Sequence, residues 1–369
     1  MPDNHYTFQT KLLHNKHKWD TTTGGLSVPI QNASTFHQLD IDTFGEYDYA
    51  RSDNPTRRAL EETIAELEGG SRGFAFASGM AAISTALLLL SAGDHIIVTE
   101  DVYGGTYRII TKVLNRLGIE HTFVDMTNLE TIKSAIKPNT KAFYIETPSN
   151  PTLKTTDIKA VATIAKEVGA LTFVDNTFLT PALQQPLTLG ADIVLHSATK
   201  FLAGHSDVVA GLAVVKDEAL ADRLYFLQNA LGAVLGPNDC WLVIRGIKTL
   251  HVRLETSSRS AKKIANYLKS HPKIKQVYYP DTGAVLSFEL ENTEALKTCS
   301  KHLQIPALAV SLGGVESILS YPTKMSHAAM PADERKKRGI SDSLLRLSVG
   351  LENPDDIIAD FEQALKKIK

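Results

Sequence analysis

The feature that most constrains the fold is an alternation of short apolar runs with helical patterns, which begins near residue 57. The runs after that point are RGFAFAS, HIIVTE, HTFVD, KAFYIET, LTFVDN, ADIVLHS and GLAVVKD. Helical spacing lies between several of them, and segments such as IIV and IVL are apolar on both faces, which is typical of buried parallel strands. The alternation predicts an α/β layer fold around a mostly parallel sheet, with its ligand site at the carboxyl ends of the strands.

The flanking segments differ from this central pattern. Residues 1–55 are polar, rich in turn formers and without a long amphipathic period, so they are predicted to form an arm. From about Leu250 a helical segment, further apolar runs and the closing stretch DDIIADFEQALKKIK predict a smaller α+β domain. The expected organisation is therefore the arm, a large domain over residues 56–246 and a small domain over residues 247–369.

Composition argues against several classes of function. The formal net charge is −2 and no long block carries one sign, so neither nucleic acid nor an anionic membrane is expected as a partner. The stretch AAISTALLLLSAG is shorter than the ~20 residues of a membrane span, and the N-terminus lacks the apolar core of a signal peptide. Cys240 and Cys299 lie in no metal-ligand pattern, so they are expected to be core residues of a cytoplasmic protein without a metal site.

Three motifs at predicted strand ends carry side chains suited to one ligand. In FASGMAA, residues 78–80 form either a helix N-terminus that cradles a phosphate or an ordinary serine-capped turn. Asp175 ends the run LTFVD and either caps a turn or pairs with a buried cation. Lys200, in HSATKFLAGHSDVVAG, is either a solvated lysine or an amine that forms a Schiff base, with Ser197 and Thr199 beside it.

Together these motifs match a ligand that has an aldehyde, a protonated ring nitrogen and a phosphate. Pyridoxal 5'-phosphate has all three groups, and its enzymes use a Schiff-base lysine and an acidic partner for the pyridinium nitrogen. Tyr103, in EDVYGGTYR, is expected to stack on the ring, although a single tyrosine at such a position is more commonly a core or rim residue. The sequence therefore predicts a pyridoxal-phosphate enzyme.

Further segments extend the pattern over the chain from about residue 20 to its end. They are YARSDNPTR, FASGMAAI, YGGTYR, ETPSNP, VDNTF, LHSATKFLAGHSDVVAG, SLGGVESI and LRLSVGLE. Taken together, they resemble the Cys/Met-metabolism family of pyridoxal-phosphate enzymes. The resemblance implies fold type I of the PLP-dependent transferases, which is aspartate aminotransferase-like. It also implies a small amino-acid thioether as substrate and a homotetramer, a dimer of dimers whose active sites are shared between subunits.

The resemblance also implies roles for the matching positions. Catalytic roles are expected for Lys200, Tyr103 and Tyr49. The cofactor contacts are expected from Lys200 at the aldehyde, Asp175 at the ring nitrogen, Tyr103 on the ring, Gly79, Met80, Ser197 and Thr199 at the phosphate, Asn150 at the phenolic oxygen, and Tyr49 and Arg51 of a neighbouring subunit. Arg346, with Ser311 and Asn150, is expected to clamp the substrate α-carboxylate, although a surface ion pair is the commoner fate of an arginine.

Two positions bear on the type of reaction. Val310 stands where γ-lyases and γ-synthases of the family commonly have glutamate, and Gly105 stands where methionine γ-lyases have cysteine. Both favour β-elimination, unless Val310 is a neutral packing difference, and segments such as SYPTKMSHAAMP are similar to bacterial cystathionine β-lyases. The predicted reaction cleaves L-cystathionine to L-homocysteine, pyruvate and ammonia in methionine biosynthesis. The alternatives are cystathionine γ-synthase, γ-lyase or O-acylhomoserine sulfhydrylase activity and, more remotely, an inactive binding homologue.

One segment departs from the family pattern. Only Asp281 and Thr282 separate QVYYP from GAVLSFEL, where the family usually has a longer loop rich in His, Gly and Gln. Either this chain has a deletion or a segment is missing from the sequence. Because the segment is peripheral in the predicted small domain, the chemistry is not expected to depend on it.

Overall fold

The structure, a computed structural model, describes residues 6–14 and 19–369. Two parts of the predicted arm, residues 1–5 and 15–18, lie outside the described residues. They include part of the N-terminal stretch in which no signal peptide was expected. The described part of the arm contains the short helix α1 (Phe8–Leu13) and an isolated bridge between Thr35 and Tyr49. This sparse regular structure agrees with its polar, turn-rich sequence.

Helices and strands alternate from residue 55 onward, as the sequence predicts. The further helices are α2 (Pro55–Glu68), α3 (Gly79–Leu87), α4 (Gly104–Lys112), α5 (Leu129–Ser134), α6 (Ile158–Glu167), α7 (Thr180–Leu183), α8 (Glu218–Leu231), α9 (Pro237–Ile247), α10 (Leu250–Ser270), α11 (Thr293–His302), α12 (Ala332–Lys337) and α13 (Pro354–Leu365). Short 3-10 segments span Leu114–Leu117, Pro186–Leu189 and Pro322–Lys324. Within residues 6–14 and 19–369, no helix has the length and apolar character needed to cross a membrane.

The strands form two sheets. The first sheet contains β1 (Arg72–Phe76), β2 (His95–Thr99), β3 (Glu120–Val124), β4 (Thr140–Glu146), β5 (Leu171–Asp175), β6 (Ile193–Ser197) and β7 (Gly211–Val215). The second contains β8 (Ile274–Tyr278), β9 (Val285–Leu290), β10 (Ala307–Leu308), β11 (Ile318–Ser320) and β12 (Leu344–Ser348). Their orders are β1-β7-β6-β5-β4-β2-β3 and β10-β11-β12-β9-β8.

The larger sheet is mostly parallel, as predicted. Strands β3, β2, β4, β5 and β6 pair in parallel in that order, and β7 runs antiparallel to both of its neighbours. Successive residues of β5 enter different cores, with Phe173 in one and Val174 in another, because helices cover both faces of the sheet. The carboxyl ends of five parallel strands therefore meet at one edge of the sheet, and β5 and β6 bring Asp175 and Ser197 to that edge.

The smaller sheet packs against α10, α11 and α13. Its core contains Phe288 of β9 and Phe361 of α13, whose ring centroids lie 5.6 Å apart in an edge-to-face arrangement. The predicted domain boundary near residue 246 falls at the end of α9, just before α10. The division into an arm, a large domain and a small domain stays a prediction.

Two elements of the chain differ from the sequence expectation. The run ALAVSLGGVES forms only the two-residue strand β10, because Ser311 and Gly313 adopt φ angles of 93° and 81°, which an extended strand does not include. The helical pattern after HIIVTE, which predicts one helix near residues 105–117, is divided: α4 ends at Lys112, and a 3-10 segment spans Leu114–Leu117. At the shortened 280–283 segment, Asp281 and Gly283 adopt positive φ angles in the turn that joins β8 to β9.

Candidate active site

A cavity of about 530 Å³ lies where the carboxyl ends of β4, β5 and β6 face residues of the smaller sheet. We call it the central cavity. Most of the predicted site residues line it: Gly79, Met80, Tyr103, Asn150, Asp175, Ser197, Thr199, Lys200, Ser311 and Arg346. The position agrees with the general location of ligand sites in parallel α/β sheets.

The N-terminus of α3 meets the end of β6 at the wall of this cavity. Ser78 caps the helix, because its hydroxyl oxygen accepts the Ala81 N–H at 3.1 Å. A Cβ atom at Gly79 would lie 2.8 Å from the Cβ of Ser197, so only glycine permits this close approach. The unpaired N–H groups of the first helical turn carry partial positive charge, which suits this end of the cavity to a phosphate.

Lys200 lies in the turn that follows β6. Its Nζ donates a hydrogen bond to Ser311 Oγ at 2.6 Å. Burial, and secondarily the positive charge of Arg346, lower the pKa of Lys200 to about 8. A fraction of the Lys200 amines is therefore uncharged near neutral pH, which is the state that attacks a carbonyl.

Asp175 is the last residue of β5, and its carboxylate is buried. The Thr177 backbone N–H and hydroxyl donate to Oδ1, and the Tyr144 hydroxyl donates to Oδ2 at 3.4 Å. Burial raises the pKa of Asp175, while the Thr177 hydrogen bonds act in the opposite direction by stabilising the anion. A buried carboxylate held in this way is a suitable partner for a cation bound in the cavity.

Arg346 extends from β12 and is almost fully buried. Its Nη1 donates to Asn150 Oδ1 at 2.7 Å, and its Nη2 donates to the Ser311 carbonyl at 2.8 Å and the Ser320 hydroxyl at 3.3 Å. Its Nε has no hydrogen-bond partner in the part of the chain that the structure describes. Burial lowers the pKa of Arg346 to about 10. A buried guanidinium with an unused donor is suited to a carboxylate ligand.

Tyr103 precedes α4 and presents its ring to the same cavity. The side chain is 37% exposed, which leaves a ring face open to a ligand. Its backbone N–H donates to Glu146 Oε2 at 2.9 Å, so the residue is fixed to the end of β4. This arrangement is compatible with stacking on an aromatic ligand.

Tyr49 and Arg51 do not line the central cavity of their own chain. Arg51 Nη1 donates to the Asn229 carbonyl at 2.7 Å, and the Arg51 guanidinium carbon lies 5.5 Å from the centroid of the Tyr49 ring. The Tyr49 side chain is 47% exposed. Their expected contact is with a neighbouring subunit, so this role stays a prediction.

Two further charged residues, Glu146 and Arg108, line the cavity and were not predicted as site residues from the sequence. Glu146 is the last residue of β4. Its place in the sequence, an acid at the end of an apolar strand, is the same pattern that marked Asp175, so it could have been predicted in the same way. Arg108 lies on α4, lines the cavity and has no hydrogen-bond or ion-pair partner among the described residues. No pattern in the sequence distinguishes Arg108 from a solvated arginine on a helix.

A profile of the family described as Cys/Met metabolism PLP-dependent enzyme matches residues 9–366. The chain belongs to this family. It is 64% identical to cystathionine β-lyase MetC of Bacillus subtilis (strain 168), over 100% of this chain and 98% of that protein. It is 52% identical to cystathionine β-lyase of Lactococcus lactis subsp. cremoris, over 98% of this chain and 99% of that protein. The crystal structure of cystathionine γ-lyase from Lactobacillus plantarum complexed with L-serine matches with a TM-score of 0.96 and 48% identity, over 98% of this chain and 99% of that one.

The residues of the central cavity fit the cofactor of this Cys/Met family. The partly buried amine of Lys200 suits the aldehyde of pyridoxal 5'-phosphate, and the buried carboxylate of Asp175 suits its ring nitrogen. The N-terminus of α3, which begins at Gly79, lines the cavity and suits the phosphate. The enzyme is therefore PLP-dependent, and the expected fold type I architecture is confirmed by its solved relatives.

Proposed function

We propose that this enzyme is a cystathionine β-lyase, which cleaves L-cystathionine to L-homocysteine, pyruvate and ammonia in methionine biosynthesis. The observation that carries the proposal is 64% identity over the whole chain to a protein named cystathionine β-lyase MetC. Proteins with the same activity in their names are 48–52% identical. The central cavity supports it, because it combines the partly buried amine of Lys200 with the buried carboxylate of Asp175 and the buried guanidinium of Arg346.

The cofactor would be held by residues at the carboxyl edge of the larger sheet. Lys200 would carry the aldehyde, Asp175 would face the ring nitrogen and Tyr103 would lie on the ring. The remaining contacts are proposed for Gly79, Met80, Ser197 and Thr199 at the phosphate and Asn150 at the phenolic oxygen. When bound, pyridoxal phosphate withdraws electrons from the substrate Cα and so weakens the bonds to that atom.

Lys200 is the proposed acid and base of the reaction. Its uncharged Nζ would take the proton from the substrate Cα. The same nitrogen would then deliver that proton to the sulfur as the Cβ–S bond breaks, and Tyr103, which lines the same cavity, would assist. The lowered pKa of Lys200 suits both transfers, because the amine is neither permanently protonated nor a poor donor near neutral pH.

Substrate orientation is proposed to depend on Arg346. Its guanidinium would form paired hydrogen bonds with the substrate α-carboxylate, with Asn150 and Ser311 beside it. Such a clamp fixes Cα relative to Lys200. Correct placement of a substrate next to a catalytic group supplies a large part of an enzymatic rate enhancement.

Two other residues of the cavity bear on the reaction and the substrate. Val310 supports β-elimination over γ-elimination, and Arg108 supports a substrate with two carboxylates. Val310 lines the cavity with an apolar side chain, so this position offers no carboxylate to a substrate amine. Arg108 offers an unpaired guanidinium in the same lining. We propose that Arg108 meets the carboxylate of the homocysteine half, which the smaller substrate cysteine lacks.

We also propose a homotetramer in the cytoplasm, with active sites shared between subunits. The arm supports this assembly in two ways. It places Tyr49 and Arg51 on its surface, and it exposes the large apolar residues Leu39, Ile41 and Phe44. Both cysteines are free and buried, which agrees with a reducing compartment.

The test is steady-state kinetics with L-cystathionine, L-cystine and an O-acylated homoserine, with the keto-acid products identified. Pyruvate from cystathionine is expected, whereas 2-oxobutyrate would identify γ-chemistry instead. The Lys200→Ala variant should retain the fold but lose turnover and the absorbance of the lysine-bound cofactor. A wild-type protein that binds no pyridoxal phosphate would identify an inactive homologue.

A further inference from the structure

Glu146 is a buried acid in the central cavity whose role is not yet accounted for. It is the last residue of β4, and it pairs in register with Asp175, the last residue of β5. Residues in register on neighbouring strands project to the same face of a sheet. The carboxyl groups of Glu146 and Asp175 therefore lie side by side, and both residues line the cavity.

The hydrogen bonds of these two acids differ. Asp175 accepts from the Thr177 hydroxyl, the Thr177 N–H and the Tyr144 hydroxyl. Glu146 accepts the Tyr103 N–H at 2.9 Å, and the Asn150 N–H makes a weaker contribution. Because hydroxyl and amide donors stabilise a carboxylate, the negative charge is better supported at Asp175 than at Glu146.

The surrounding charges act in the same direction. Asp175 from β5 and Asp101 from the segment after β2 disfavour an anion at Glu146, while Arg346 from β12 favours it. Arg346 directs its hydrogen bonds to Asn150, Ser311 and Ser320 rather than to Glu146. Burial is the largest influence and, with Asp175, raises the pKa of Glu146 well above its ordinary value. Two neighbouring carboxyl groups in a buried site do not both ionise readily.

We propose that Glu146 is a positioning residue that remains protonated, fixes the backbone of Tyr103 through its carboxyl oxygen, and leaves Asp175 as the single anion beside the cofactor ring. A second anion at this place would make it harder for Asp175 to stay ionised, and Asp175 is the proposed partner of the ring nitrogen. The inference rests on the proposed roles of Tyr103 and Asp175, and it does not depend on which thioether the enzyme cleaves.

The test compares Glu146→Gln with Glu146→Ala in the holoenzyme. Glutamine keeps an oxygen for the Tyr103 N–H and carries no charge, so it imitates a protonated glutamate. We expect Glu146→Gln to keep the cofactor absorbance, its pH midpoint, the cofactor Kd and kcat close to wild type. Glu146→Ala leaves a buried donor without a partner and is expected to lower kcat about tenfold with a smaller change in KM.

Infrared difference spectra of the wild-type holoenzyme against Glu146→Gln give a second readout. The wild type is expected to show the carbonyl band of a protonated carboxyl group at neutral pH, and the variant is expected to lack it. The control is the variant Glu289→Gln, which should keep the band. Glu289 is a buried acid of β9 that accepts a hydrogen bond from the Tyr278 hydroxyl and does not line the cavity. A shifted pH midpoint in Glu146→Gln, a kcat as low as that of Glu146→Ala, or a wild type without the band would overturn the proposal. Because the cofactor absorbance requires no turnover, this outcome is distinguishable from a wrong substrate.

Discussion

At the scale of residues, the central cavity holds the partly buried Lys200 and the buried Arg346, and neither forms an ion pair with a carboxylate among the residues described. Lys200 instead donates to the Ser311 hydroxyl, and Arg346 donates to an amide oxygen, a carbonyl and a hydroxyl. Burial without an anion disfavours the charged forms and lowers both pKa values. The consequences differ, because a pKa of about 8 makes Lys200 a usable base, whereas a pKa of about 10 keeps Arg346 charged.

The lowered pKa of Lys200 predicts how fast the enzyme without cofactor takes up pyridoxal phosphate. The amine reacts only when uncharged, so the uptake rate should rise about tenfold per pH unit below pH 8 and level off above it. Stopped-flow absorbance from about pH 6 to about pH 9 measures this rate. Lys200→Ala is the control and should give no lysine-bound signal. A rate that still rises about tenfold per pH unit between pH 8 and pH 9 would contradict the lowered pKa.

Replacement of Arg346 by lysine tests the clamp on the α-carboxylate. Lysine keeps the charge but cannot form two parallel hydrogen bonds, so we expect KM for cystathionine to rise about 10- to 100-fold. Arg335→Lys is the matched control, because Arg335 is a partly buried arginine outside the cavity. Steady-state kinetics measure the effect, and an unchanged KM in Arg346→Lys would show that the carboxylate binds elsewhere.

The chemistry of single residues could be predicted only where a pattern marked it. Lys200 and Asp175 stood in distinctive segments at strand ends, and the structure brings both to one cavity. Arg108 lay on a helix with no such signal, since its unpaired state appears only when the lining of the cavity is assembled. The positive φ angle of Ser311 was equally hidden, because backbone strain at a serine is set by tertiary packing.

At the scale of elements, apolar runs predicted strands well because helices cover both faces of the larger sheet. The smaller sheet was harder, since β10 and β11 have only two and three residues and their short runs resemble loops. Close contacts between elements could also not be predicted from the sequence. The glycine at the start of α3 was visible, but its contact with the end of β6 depends on how the two elements pack.

That contact predicts the effect of Gly79→Ala. The added Cβ would lie 2.8 Å from the Cβ of Ser197, so the N-terminus of α3 must move away from β6. We expect the Kd for pyridoxal phosphate to rise about tenfold, because phosphate contacts at a helix N-terminus depend on the position of its N–H groups. Gly236→Ala is the control, since its added Cβ meets no atom within 4 Å. Equal Kd values for the two variants, measured by absorbance titration, would refute this explanation.

At the scale of the whole molecule, the arm is the part that its own chain explains least. It exposes large apolar residues, among them Leu26, Leu39, Ile41 and Phe44, which a stable monomer would be expected to cover. Tyr49 and Arg51 likewise lie on the surface, away from the central cavity. These features agree with an arm that packs on a second subunit and completes its site, as in a symmetric oligomer.

A shared site predicts that two inactive variants restore each other. Arg51→Gln keeps Lys200 but lacks the proposed arginine contributed by the arm, whereas Lys200→Ala keeps Arg51 but lacks the catalytic amine. In a two-fold dimer formed by random exchange, half of the molecules are mixed, and each mixed dimer has one intact site. We therefore expect an equal mixture to recover about one quarter of the wild-type activity after subunit exchange.

The measurement is pyruvate formation before and after subunit exchange. The control is Lys200→Ala mixed with the double variant Arg51→Gln/Lys200→Ala, which should recover no activity. If Arg51 acted within its own chain, no mixed molecule would contain an intact site, and the activity would stay at the level of the separate variants.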